Sequence, residues 1–253
     1  LALEKYADDS VKLVYPTKGE NRSPIILRDI DKDGKEEAFA FYSTNTDENT
    51  SVLHINYICW FNNEWISVSD IEVVASGVES VDFQMLDDSG VAKIVVCWSR
   101  FSDIDRHFSI YSVNKDIMSE VISGEYSVLT TYDFDSDGIM EIAAVHLDRE
   151  LKTATASLLA LSESGFKVTG SCELDGTVTG YYEPKISKLP DGRQAIFIDA
   201  QKSTGVITEV VYLKDKKLVN AFASKNGKVT ENLKTLRAST VLCGDYDNDG
   251  CID

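Results

Sequence analysis

Three short stretches of the chain carry carboxylates at a spacing that does chemistry. Asp29, Asp31, Asp33 and Glu37 stand at positions 1, 3, 5 and 9 of a loop whose position 6 is Gly34. Asp133, Asp135, Asp137 and Glu141 repeat the pattern around Gly138, and Asp245, Asp247, Asp249 and Asp253 repeat it around Gly250. Alternate side chains turn inward and glycine permits the sharp bend, so the oxygens converge as a hard dication requires. The position-7 backbone carbonyls of Lys35, Ile139 and Cys251 would add a further oxygen. Calcium is the expected occupant, at about three sites.

The plainer reading is a solvated acidic turn. Four carboxylates about 5 Å apart repel by roughly 0.8 kcal/mol per pair even at the dielectric constant of water, or about 5 kcal/mol over six pairs. A turn without a cation gains nothing from that arrangement. An EF-hand shares the first half of the pattern, but it places a bidentate Glu at position 12 between two helices. Here position 12 is Ala40 in the first loop and Ala144 in the second.

The elements that must hold these loops are strands. Ile25-Ile26-Leu27 and Ala38-Phe39-Ala40-Phe41-Tyr42 flank the first loop, and the runs 126–132 and 142–147 flank the second. They are apolar, of strand length and without helix caps. Further on, 52–61 and 64–69 are joined by Asn62-Asn63, a two-residue hairpin signal. The unit is therefore strand, loop, strand, strand, turn, strand. It recurs with loops at 29–37, 85–93, 133–141, 187–195 and 245–253, whose glycines Gly34, Gly90, Gly138, Gly192 and Gly250 are spaced by 56, 48, 54 and 58 residues. Four short strands at a period near 50 residues predict an all-β chain, a β-propeller of four-stranded blades spanning 1–253, with a β-sandwich as the alternative. Residues 1–23 read as a lead-in helix and strand.

Two of the five loops have lost the cage. Aligned on glycine, one reads Met85, Asp87, Ser89 and Lys93 at positions 1, 3, 5 and 9, and the other reads Ser187, Leu189, Asp191 and Ala195. Neither is expected to bind calcium. Lys93 could instead place its own ammonium where the dication would sit, near Asp87, the alternative being simple solvent exposure.

Composition bounds the rest. The chain has 253 residues, 43% of them hydrophobic, and a formal charge of -17. Such a balance suits a folded core and argues against nucleic acid or an anionic membrane surface as partners. Cys59, Cys97, Cys172, Cys243 and Cys251 form no CxxC pair, and no disulfide framework is expected. No apolar run approaches the roughly 20 residues that cross a bilayer, and no signal peptide is evident.

The run from Ser23 to Tyr42, with its Asp-x-Asp-x-Asp-Gly-x-x-Glu loop between strands, resembles the FG-GAP/VCBS repeats of integrin α-subunit propellers and bacterial extracellular proteins, in particular Firmicutes VCBS-repeat lipoproteins. The resemblance implies a calcium-stabilised propeller at the bacterial surface, whose loops recognise a protein or glycan in ligand binding or adhesion. Any membrane attachment would run through a lipid anchor outside this chain. The integrin phrase Phe-Gly followed by Gly-Ala-Pro is absent, so an integrin-like partner is not implied. The propellers it resembles usually close with about seven blades, so the resemblance implies that the chain is part of a longer one.

Catalytic patterns are absent: there is no GxSxG, HExxH, P-loop or GxGxxG. His54, His107 and His146 lie in different units and read as packed or edge residues rather than bases. Two polar stretches, 99–107 and Tyr181-Tyr182-Glu183, are candidate ligand contacts that read more simply as solvated loops. The expectation is a non-catalytic binding module. Its alternative is a propeller enzyme such as a polysaccharide lyase, which would need a neutralising cation beside a base.

Overall fold

A computed structural model describes residues 11–45, 51–100, 106–115, 117–162, 165–189, 191–215, 217–223 and 236–239. The expected helix at 1–9, the third acidic loop at 245–253 and the core of the 99–107 stretch lie outside the described residues. The described chain is all-β, with no helix of the length and apolarity needed to cross a membrane. It divides into two compact units, Leu1–Glu125 and Tyr126–Asp253.

The first unit holds two antiparallel sheets. One comprises β1 (Val11–Leu13), β2 (Ile25–Arg28), β3 (Glu37–Asn45), β4 (Ser51–Phe61) and β5 (Glu64–Val73), with β1 and β2 both pairing with β3. The other runs β6 (Gly77–Gln84), β7 (Lys93–Ser99), β8 (Arg106–Asn114), β9 (Ile117–Tyr126). Phe39, Phe41, Ile55 and Tyr57 of the first sheet meet Val81, Ile94, Val96, Trp98 and Tyr111 of the second in one core. The turn between β4 and β5 has Asn62 at φ 51° and Asn63 at φ 64°. Both central residues are left-handed, as the primed turns that match strand twist demand, and asparagine tolerates that backbone.

The second unit repeats the plan. One sheet runs β10 (Val128–Tyr132), β11 (Glu141–Asp148), β12 (Thr153–Ser162), β13 (Gly165–Leu174). The other comprises β14 (Gly180–Tyr181), β15 (Lys185–Lys188), β16 (Gln194–Lys202), β17 (Gly205–Lys214) and β18 (Lys217–Asn220). Val145, Leu147, Ala156 and Leu158 share a core with Ile196, Ile198, Ile207 and Val211.

In three of the four sheets burial falls towards the last strand, whereas β18 of the remaining sheet keeps Leu218 and Asn220 buried. β7 is buried over Lys93–Trp98 and β11 over Glu141–Val145, consecutive residues that point to opposite faces, so these strands are covered on both sides. Their sequences are near-continuous apolar runs rather than alternating ones, as that coverage demands. The fourth strands differ: β5 and most of β13 alternate exposed and half-buried residues. Each described acidic loop opens onto a doubly buried strand, which fixes its last ligand position.

Candidate metal loops

In the two described acidic loops the register is the same. Arg28 pairs with Glu37, and Tyr132 with Glu141, so the residue before position 1 closes onto position 9. Position 2 is the anchor: Ile30 and Phe134 are buried, at 2% and 4% exposure, between carboxylates that face solvent. Burying such a side chain contributes about 1.5–3 kcal/mol, which pins the loop from beneath. Each anchor's N–H donates to the position-9 carboxylate, Ile30 to Glu37 Oε2 at 3.1 Å and Phe134 to Glu141 Oε2 at 2.8 Å.

Position 1 organises the bend. Asp29 accepts from Asp33 N (3.2 Å) and Gly34 N (3.0 Å), and Asp133 accepts from Asp137 N and Gly138 N, both at 3.0 Å. Position 5 in turn accepts from the position-7 N–H, Lys35 to Asp33 and Ile139 to Asp137, each at 2.8 Å. Positions 4 and 6 are left-handed: Lys32 and Ser136 at φ 61°, Gly34 at 88° and Gly138 at 89°. Glycine suits position 6 because a side chain there would be strained at that φ even though nothing would obstruct it.

In each loop three of the four carboxylates converge, Glu37 falling outside the first group and Asp137 outside the second. One oxygen from each of Asp29, Asp31 and Asp33 lies within 4.8 Å of the others, and the same holds for Asp133, Asp135 and Glu141. Lys35 reaches outward, its ammonium 3.5 Å from Asp33. Burial pushes the Glu141 carboxyl up to about 7, with Asp135, Asp137 and Asp133 adding to the rise against the opposing Phe134 hydrogen bond. Glu37 is raised for the same reasons, burial first. Without a cation, each loop therefore holds a charge it would rather neutralise.

The loop at 85–93 supplies the internal comparison. Its register is again zero to nine, Gln84 with Lys93, and its position-2 anchor Leu86 is 1% exposed. Lys93 is buried, and its ammonium makes an ion pair with Asp87 at 2.8 Å and donates to Ser89 Oγ at 3.0 Å and to the Val91 carbonyl at 3.2 Å. Those are positions 3, 5 and 7, the groups expected to offer oxygens to a cation in the acidic loops. The ammonium sits among them rather than in solvent. Burial raises the Asp87 carboxyl, but the Lys93 and Ser89 hydrogen bonds outweigh it and hold the group below its ordinary range.

The loop at 187–195 departs from the glycine alignment. Ser187 and Lys188 remain in β15, paired with Ala195 and Gln194, and the turn is closed by Leu189 N to Arg193 O and Gly192 N to Leu189 O, both 2.8 Å. With no position-1 carboxylate to hold a wide bend, the ladder zips further and leaves a tight turn. Its Asp191 accepts from Arg193 Nε at 2.8 Å, and the guanidinium lies 4.0 Å over the Tyr212 ring.

The other candidates are structural. His54 is buried, stacked on Tyr42 and hydrogen-bonded to Asp70 and Thr44. Arg100 pairs with Glu125, and Arg106 with Glu79. Tyr181 donates to the Asp175 carbonyl and Tyr182 to Gln201. His146 is exposed. Among the described residues, Cys59, Cys97 and Cys172 form no disulfide. Sequence reasoning missed the position-2 anchor, although Ile30, Leu86 and Phe134, with Tyr246 in the fifth loop, share an apolar character that marks it.

No protein-family model matches the chain, and no curated protein matches it. Among solved structures, the rhamnogalacturonan lyase YesW matches with a TM-score of 0.48 at 13% identity over 94% of this chain. A rhamnogalacturonan lyase PL11 of Bacillus licheniformis matches with a TM-score of 0.47 at 12% identity over 96%. The chain spans 58% of the length of each. At that overlap neither lends its chemistry to this chain.

Proposed function

We propose that the chain is a calcium-stabilised repeat module, its sheets the blades of a propeller, that works outside the cell by recognising a ligand. The observation that carries this reading is the Lys93 ammonium. One loop of the repeat has a cation of its own bound by positions 3, 5 and 7, so the same positions in its acidic counterparts fit a cation drawn from solution. Asp29, Asp31, Asp33, the Lys35 carbonyl and Glu37 would hold one ion; Asp133, Asp135, Asp137, the Ile139 carbonyl and Glu141 another; and Asp245, Asp247, Asp249, the Cys251 carbonyl and Asp253 a third. Bound calcium would neutralise the converging carboxylates and fix the bend, while the anchors tie that bend to the core.

The blade reading is supported by inner strands buried on both faces and, in three of the four sheets, outer strands that face solvent. The extracellular reading is supported by the affinity class. Exposed carboxylate loops bind in roughly the 0.1–1 mM range, useful where calcium is millimolar. At about 1 mM calcium and a dissociation constant near 0.1 mM, each site adds about 1.4 kcal/mol. Calcium titration by calorimetry, with melting in calcium and in EDTA, tests the proposal: saturable binding and a higher melting temperature in calcium support it, and identical melting curves refute it.

A second reading, a lyase acting on an acidic polysaccharide, is favoured by a cationic cavity beside the β11–β12 hairpin. Incubation with polygalacturonate, following the ultraviolet absorbance of an unsaturated product, separates cleavage from binding alone.

A further inference from the structure

In the second unit an open cavity of about 330 Å³ is lined by Arg149, Lys152, Gly176, Thr177, Val178 and Thr179. Both of its ionisable residues are cations, in a chain whose net charge is -17. Three other cations of this unit are paired: Lys202 with Asp175, Arg193 with Asp191, and Arg237 with Asp199. Among the described residues, Arg149 and Lys152 make no such pair. Of the carboxylates beside them in sequence, Asp148 is turned into the hairpin, its Oδ1 accepting from Glu150 N and Leu151 N, and the exposed Glu150 is not among the residues that line the cavity. Asp175, beside the cavity wall, has its charge met by Lys202 at 2.8 Å. The positive field of the cavity is therefore left uncancelled from within.

The walls are fixed by close packing. A β-carbon at Gly176 would fall 2.1 Å from the Lys152 carbonyl oxygen, so the 174–180 segment lies directly against the hairpin and only glycine fits there. Thr177 is held by its N–H and hydroxyl on Asp175 Oδ1, and Thr179 by its hydroxyl on the Gln201 carbonyl. The Arg149 guanidinium rests beside Gly180, 3.9 Å from where a β-carbon would stand.

We infer that this cavity binds the carboxylate of an acidic sugar, with Arg149 and Lys152 as its counter-charges. A guanidinium matches a carboxylate through two parallel hydrogen bonds, and an ammonium adds a point charge. The volume lies at the lower end of the range for organic ligands, about 300–1,000 Å³, so a bare inorganic anion would leave most of it to water. Val178, which is buried, is the apolar residue of the lining. The inference gives the recognition reading a ligand class and rests on that reading, but it does not need the metal loops to be filled.

Galacturonate, galactose and inorganic phosphate are titrated into the protein by ligand-observed NMR or calorimetry. Galacturonate is expected to bind saturably and galactose not, with affinity falling at least tenfold in Arg149→Ala and severalfold in Lys152→Gln. Arg149→Lys should restore part of the loss, since the charge returns without the fork. Both positions are exposed, so unchanged melting temperatures should accompany these losses. Equal binding of galactose, binding of phosphate as tight as that of galacturonate, or galacturonate affinity untouched by both substitutions would overturn the assignment. A glycan-array hit that survives Arg149→Ala would sink this cavity while leaving the recognition reading intact.

Discussion

The loops at 85–93 and 133–141 share a register, a buried position-2 anchor and a left-handed glycine at position 6, and differ in what neutralises them. In one, Lys93 carries the cation on the chain and needs nothing from solution. In the other, Glu141 stands at the same position and brings a carboxylate instead, in a cluster that could hold a metal ion and whose buried carboxyl is pushed up to about 7. The comparison teaches that one loop frame accommodates either a built-in ammonium or a cluster of carboxylates suited to a cation from solution. Position 4 separates them as well: Ser136 is left-handed at φ 61°, as is Lys32 in the other acidic loop, while Asp88 is not among the residues with positive φ. The wider wrap goes with the carboxylate cage.

The largest expected effect comes from removing the built-in cation. Lys93→Ala would leave Asp87 partly buried without its partner, and breaking such a pair costs about 3–5 kcal/mol in full burial. Since Asp87 keeps some solvent access, at 22% side-chain exposure, about 2–3 kcal/mol is the prediction, read by urea denaturation and equal in calcium and EDTA. A calcium-dependent loss would break the comparison. Next in size is the conversion Met85→Asp, Ser89→Asp, Lys93→Glu, which gives the 85–93 loop the carboxylates of 133–141. Its stability should become dependent on calcium where the parent loop's is not, by about 1.4 kcal/mol at 1 mM. Indifference to EDTA would show that position 4 matters more than the ligand set. Smaller still is Asp135→Asn, which preserves shape and removes one charge. The calcium midpoint should move up about tenfold, while melting in EDTA stays level or rises as repulsion is relieved. Asp133→Ala is the poorer test, because Asp133 also holds two backbone N–H groups and its loss should lower stability in EDTA as well.

The two described acidic clusters were legible because their chemistry is local: carboxylates at fixed spacing around a glycine bring three of their four members together in each loop. The Lys93 ammonium was legible for the same reason, as a residue of opposite charge at a ligand position. The strands around them followed from apolar runs and from Asn62-Asn63. What escaped was set by long-range packing. β14 and β18 have two and four residues and little apolar character, and they exist because neighbouring strands offer an edge. The fourth loop was misaligned because a glycine at the right spacing was taken to mean the same bend, whereas Ser187 and Lys188 continue the ladder. The cationic cavity joins residues 149 and 152 to a segment about 25 positions away, a juxtaposition no local pattern encodes.

The last and smallest effect separates the two loops by pH. Glu141 in the ion-free protein titrates near 7, well above an unfolded glutamate at about 4.3. A carboxyl raised on folding binds its proton more tightly in the native state, so ion-free stability should increase as pH falls from 8 towards 5. In calcium the sign should reverse, since protons then compete with the ion for the same oxygens. The loop at 85–93 behaves oppositely to the ion-free acidic loop: Asp87 is held low, its contribution is complete above about pH 4, and it is lost only as the pH falls through its folded value. Solvent access and coupling among the carboxylates reduce the Glu141 effect to about 1 kcal/mol. Melting curves in EDTA between pH 5 and 8, compared with Glu141→Gln, should show a slope in the parent that the variant loses. The same slope in both proteins would assign the titration elsewhere and remove Glu141 as the group that waits for a cation.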